Sequence, residues 1–131
     1  MKNTKTIFLI DDDEIDCLVA QKLLQNAFPD CLVNTFLSAN AALDALYKQI
    51  GSTTGDLPDL ILLDLNMPIK DGWEFVDEYT SFYSQASFPL PPIYILTSSI
   101  NPLDQQKAKA SALVVDFLVK PLTIQTLHLL H

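Results

Sequence analysis

Three consecutive aspartates, Asp11, Asp12 and Asp13, directly follow the apolar run Thr6-Ile7-Phe8-Leu9-Ile10, and Asp64 stands near the end of another, Leu60-Ile61-Leu62-Leu63. Two unit charges ~4 Å apart repel by roughly 4 kcal/mol at an effective dielectric of ~20, so carboxylates gathered at the mouth of a buried strand need a cation, a proton or open water. Mg²⁺ is one such cation: it is hard, takes oxygen ligands, usually one or two of them carboxylates, and keeps positions for water and phosphate. A carboxylate beside such an ion can act as a nucleophile toward a phosphoryl group, because that transfer demands little beyond positioning and charge neutralisation. Thr97 and Lys120 stand at and just past the ends of two further apolar runs, where they could add a hydroxyl and an ammonium.

The elements that must position these groups are legible from periodicity. Five β-branched-rich runs, Thr6–Asp11, Leu32–Leu37, Leu60–Leu65, Ile93–Thr97 and Val114–Val119, read as strands. The segments LILLDL and IYIL are almost continuously apolar, as in strands covered on both faces. Helix-like stretches separate them. Ile15, Leu18, Val19, Leu23 and Ala27 recur at helical spacing in the first, which Phe28-Pro29-Asp30 closes. Ser38 or Asn40 can cap a second, carrying Ala41, Leu43, Ala45, Leu46 and Tyr47. A third runs from Gly72 through Phe75, Val76 and Tyr79; Asn101-Pro102 opens a fourth, and Thr123 caps a fifth. Regular β-α alternation predicts a parallel sheet with helices on both faces.

Ligands of open α/β sheets bind outside the carboxyl ends of the strands, where the strand order reverses. Asp11, Asp12, Asp64, Thr97 and Lys120 all fall at such ends. With the order 2-1-3-4-5, the crevice lies between strands one and three, where the aspartates converge.

Composition narrows the function further. The 131 residues suit one domain, and 16 acidic against 8 basic residues, a formal charge of −8, would repel phosphate backbones, so direct nucleic-acid binding is not expected. No apolar run is long enough for a membrane span, and MKNTKTIF lacks the long apolar stretch of a signal peptide, so a cytoplasmic protein is expected. Cys17 and Cys31 share no zinc-type spacing and read as reduced, buried thiols. His128 and His131 read as one face of a short helix rather than a metal site. Gly51-Ser52-Thr53-Thr54-Gly55 and Phe88-Pro89-Leu90-Pro91-Pro92 are the loosest loops, and Gly72 is free to take positive φ.

From IFLIDDDEID through LILLDLNMPIKDGWEF and IYILTSS to FLVKPL, the chain resembles the receiver domain of two-component response regulators, the CheY-like group, over nearly its whole length. The resemblance implies a doubly wound α/β domain spanning residues 1–131, with a five-stranded parallel sheet in the order 2-1-3-4-5. It implies that Asp64 accepts the phosphoryl group, that Asp12 binds Mg²⁺ (or Mn²⁺) directly and Asp11 through water, and that the backbone carbonyl of Asn66 completes the protein's ligands together with Asp64. Thr97 matches the hydroxyl that bonds the phosphoryl group, Lys120 the lysine that pairs with it, and Phe117 the aromatic switch position. Asn66 and Ser99 match the residues that flank the path of attacking water and tune dephosphorylation. The Lys120–Pro121 bond is expected to be cis by the same analogy. The ten residues after Pro121 are short for the family's last helix, which suggests a chain trimmed there or a helix completed by a partner.

The partners implied are a histidine kinase or histidine phosphotransfer protein and an unnamed downstream protein reached through the face of helix four, strand five and helix five. The chain would be monomeric or dimerise on phosphorylation, without nucleic acid or membrane as a partner. It would catalyse its own phosphorylation and dephosphorylation without being a turnover enzyme. Taken singly, each residue has an ordinary structural reason: Asp12 or Asp13 as a helix cap, Thr97 as a strand threonine, Lys120 as an exposed lysine, Phe117 as core. For Asp13 and Glu14 the capping reason is preferred. A receiver-like module that binds protein without phosphorylation is the main alternative. A Mg²⁺-dependent phosphatase of the haloacid dehalogenase type would need a general acid where Asn66 stands, and a flavodoxin-like FMN carrier would need a Ser/Thr/Gly-rich loop where Asp11-Asp12-Asp13 stand.

Overall fold

Each of the five apolar runs forms a strand: β1 (Thr6–Ile10), β2 (Leu32–Phe36), β3 (Leu60–Asp64), β4 (Ile93–Thr97) and β5 (Val114–Val119). Between and after them lie α1 (Glu14–Ala27), α2 (Ala39–Ile50), α3 (Gly72–Ser81), α4 (Pro102–Ala110) and α5 (Ile124–Leu127), with a 3₁₀ turn at Phe82–Gln85. The computed structural model describes residues 5–51, 57–86 and 89–130, so the loop residues Ser52–Gly55, Phe88 and His131 lie outside the described residues. All pairings are parallel and the order is β2-β1-β3-β4-β5, as expected from the β-α alternation.

The central strands β3 and β4 are buried at every position, whereas the edge strands β2 and β5 are largely open on one side. Alternation along the strands divides the core into two layers. Phe8, Ile10, Ile61, Leu63, Ile93 and Ile95 face α2 and α3, meeting Leu43, Leu46, Phe75 and Tyr79. Ile7, Leu9, Leu60, Leu62 and Leu96 face α1 and α5, meeting Cys17, Leu24 and Leu127. Burying each such Leu or Ile contributes about 1.5–3 kcal/mol, enough for β3 to end on a buried carboxylate.

The caps follow the sequence closely. Asp13 caps α1, accepting from the N–H groups of Ile15 and Asp16, and Ser38 rather than Asn40 caps α2. Asn101 precedes Pro102 at the start of α4, and Thr123 caps α5 in a reciprocal box with Thr126. The Lys120–Pro121 bond is cis. No described helix is long and apolar enough to cross a membrane.

Two expectations are corrected. The core face of α1 is Cys17, Ala20 and Leu24, while Ile15, Leu18 and Val19 are exposed; Leu23 and Ala27 are only partly buried. The helix carries two apolar stripes, and the one with Cys17, Ala20 and Leu24 is the one that packs on the sheet. Gly72 does not have positive φ. Its role is close approach: a Cβ there would lie 2.8 Å from the Leu65 Cα and 2.9 Å from the Asp64 carbonyl oxygen. The left-handed residue of this loop is Ile69, at φ 69° and 95% exposed, an uncommon conformation for a β-branched side chain.

Gly72→Ala is therefore expected to cost about 1–3 kcal/mol, because backbone rather than a flexible side chain must give way. Urea unfolding would check this, and an unchanged midpoint would show that the loop after β3 yields freely.

Candidate functional site

The carboxyl ends of β1, β3, β4 and β5 bring the sequence-selected residues together. Asp11 follows β1 and is fixed by its own N–H, which donates to the Phe36 carbonyl at 3.0 Å. Asp64 is the last residue of β3 and pairs in register with Leu96, next to Thr97. Lys120 follows β5, and its N–H donates to the Thr97 carbonyl at 2.8 Å. Asp11, Asp64 and Thr97 are the buried polar residues among the described ones, only 2%, 5% and 3% exposed, while Asp12 is open to solvent.

One oxygen from each of Asp11, Asp12 and Asp64 lies within 4.8 Å of the others. Three carboxylate oxygens that converge in this way, two buried and one exposed, form the donor set a hard divalent cation prefers, with an open side for water or phosphate. The residues thus fit Mg²⁺.

Lys120 provides the cation that the chain itself carries. Its Nζ lies 3.0 Å from Asp11 Oδ2, 3.3 Å from Asp16 Oδ2 and 3.5 Å from Asp64 Oδ1. Burial opposes its charge, but the hydrogen bond to Asp11 and the charges of Asp64 and Asp11 outweigh that and hold its pKa above the ordinary lysine value. Asp64 goes the other way. Burial pushes its carboxyl up to about 6; Lys120 opposes this, Asp11 adds to it, and the Asn66 backbone N–H opposes it by hydrogen bonding. A carboxylate crowded in this way gains from any added positive charge.

Thr97 donates its hydroxyl hydrogen to the Ser99 carbonyl at 2.8 Å and accepts from the Ser99 N–H at 3.3 Å. Asn66 and Ser99 are exposed and line a cavity with Leu65, Asp71, Trp73 and Thr97. Trp73 closes that cavity toward α4, its indole N–H donating to Asp104 at 3.1 Å with Lys107 5.8 Å from the ring centre. Phe117 is half-buried, packed on the α2–α3 core layer and lining a groove with Gln105, Ala108 and Val114 of α4 and β5.

Cys17 Sγ donates to the Asp11 carbonyl at 3.3 Å, and burial followed by the charge of Asp11 pushes its thiol up to about 11. It and Cys31 are free and buried, as expected. Asp16 was not expected at the site. No spacing rule marks it, since its position depends on where β5 delivers Lys120.

Known proteins resemble this chain in sequence and fold. The Synechocystis response regulator Rcp1 is 32% identical over 97 residues, 74% of this chain and 64% of that protein. The hybrid signal transduction histidine kinase L of Dictyostelium discoideum is 31% identical over 88% of this chain, which spans only 6% of that kinase. The chain thus covers less than two thirds of either protein's length. The structure of Vibrio cholerae chemotaxis protein CheY4 superposes with a TM-score of 0.75 at 30% identity, covering 95% of this chain and 93% of that one. A model of the response regulator receiver domain matches residues 7–130, and with the strand order and carboxyl-end residues described above, the chain belongs to the response regulator receiver domain family, a signalling domain rather than a turnover enzyme.

Proposed function

We propose that this receiver takes a phosphoryl group from the phosphohistidine of a histidine kinase or phosphotransfer protein onto Asp64, and passes the signal on through α4, β5 and α5. The observation that carries the proposal is the buried Asp64 carboxylate, held beside Lys120 and within 4.8 Å of Asp11 and Asp12. Asp11, Asp12, Asp64 and the Asn66 carbonyl would hold Mg²⁺, which when bound neutralises charge on the carboxylates and on the incoming phosphoryl group.

The chain's own residues do the rest. Asp64 presents a carboxylate oxygen as nucleophile; the P–N bond to the donor histidine breaks as the Asp64 O–P bond forms, and the imidazole leaves with the electron pair. Lys120 donates to a phosphoryl oxygen. The Thr97 hydroxyl exchanges its bond to the Ser99 carbonyl for one to another phosphoryl oxygen, and Phe117 turns into the space this opens. A ring without a hydroxyl leaves no polar group to satisfy when it turns inward. The outcome is a population shift between two arrangements of α4 and β5. Homology to the receiver of a hybrid kinase supports a histidine kinase as the donor.

Asn66 and Ser99 border the cavity through which water would reach the phosphoryl group. Changing either is expected to alter the decay rate of the aspartyl phosphate, followed by intact mass over time; unchanged decay in both variants would remove them from this role. Trp73 lines the same cavity and bonds to α4 through Asp104, so its fluorescence is expected to change when Mg²⁺ and beryllofluoride are added. A flat signal at saturation would mean that the loop after β3 does not register occupancy.

Partner capture with and without the mimic separates this reading from a phosphorylation-independent module: retention of a downstream protein that strengthens on Mg²⁺–beryllofluoride supports the switch, and equal retention refutes it.

A further inference from the structure

Lys120 Nζ donates hydrogen bonds to Asp11, at 3.0 Å, and Asp16, at 3.3 Å, but only makes an ion-pair contact with Asp64, at 3.5 Å. Drawing the ammonium onto a phosphoryl oxygen of Asp64 therefore loosens one of the two bonds that hold it. Asp11 is the poor candidate to yield: it is buried, it also accepts from the Asp13 N–H at 3.0 Å, and it belongs to the carboxylate cluster. Asp16 projects from the first turn of α1 with its side chain 49% exposed, so water replaces Lys120 as its partner at little cost.

We propose that Asp16 is a positioning residue for Lys120: it holds the ammonium toward α1 in the unphosphorylated protein and competes with the phosphoryl group for it. The inference rests on the function proposed above. Asp16 sets how readily Lys120 moves to Asp64, and so how strongly the phosphorylated arrangement is favoured. Asp13 faces the N-terminus of α1 as its cap, and Glu14 on the same turn makes no ion pair among the described residues, so neither shares this role.

The test is calorimetric titration of the full chain with beryllofluoride in saturating Mg²⁺. Asp16→Asn is expected to tighten binding roughly two- to fivefold, the range of an exposed ion pair, while Glu14→Gln, which removes the same charge nearby, leaves it within about 1.5-fold. Asp16→Glu restores the wild-type value. In a Lys120→Gln background the Asp16→Asn effect disappears, which assigns the coupling to this pair rather than to overall charge. Equal tightening by Glu14→Gln, or persistence of the effect without Lys120, would overturn the assignment to Asp16 alone. No binding by the wild-type protein would overturn the underlying function and this inference with it.

Discussion

Asp64→Asn is expected to make the metal-free protein more stable by roughly 1–3 kcal/mol while abolishing its capacity to take up a phosphoryl group. The stabilising half follows from burial: the Asp64 carboxyl is pushed up to about 6, so at pH 7.5 its charge is held against its preference. Asparagine keeps the shape and removes the charge, and Lys120 retains Asp11 and Asp16 as partners. The loss of uptake follows because an amide is not a nucleophile toward phosphorus under these conditions. Urea unfolding in EDTA reads the first effect and intact mass the second. A variant less stable than wild type would mean that the Lys120 attraction outweighs desolvation at Asp64. Stability gained at the expense of activity is the usual mark of a residue kept for chemistry.

Lys120→Ala acts in the opposite sense on stability. It leaves Asp11 and Asp64 buried beside each other with no internal cation, and removing one partner of a buried pair typically costs about 3–5 kcal/mol; because Lys120 is partly exposed, about 2–4 kcal/mol is expected without metal. Millimolar Mg²⁺ should return much of that, more than it adds to wild type, since metal and ammonium offset the same repulsion. Phosphoryl uptake should fall at least about tenfold even in Mg²⁺, the loss of one charge-assisted donor. Unfolding midpoints measured with and without Mg²⁺ decide this: equal metal effects on both proteins would show that Lys120 and the cation act independently.

Much of this is legible in the sequence. Strands β3 and β4 announced themselves because continuous apolar runs suit only strands covered on both faces, and their terminal Asp64 and Thr97 were then placed by the fold. Caps were legible because Asp13, Ser38, Asn101 and Thr123 satisfy backbone donors locally. The face of α1 was not, because periodicity cannot rank two apolar stripes on one helix. The role of Gly72 is hidden for a similar reason: sequence shows that a residue lacks a Cβ but not what backbone fills the space. Asp16 had no local signal at all, since its partner lies 104 positions away. The phosphatase and FMN-carrier readings fall with the family assignment. The strongest single clue was chemical: aspartates at two strand ends, a threonine and a lysine at two more, converging where a parallel sheet leaves an open crevice.

Intact-mass spectrometry after incubation with acetyl phosphate, with and without Mg²⁺ and beside Asp64→Asn, tests phosphoryl acceptance most directly. One added phosphoryl group that requires both the metal and Asp64 is the expected result. No gain in folded, metal-saturated protein, or equal gain in Asp64→Asn, would contradict it.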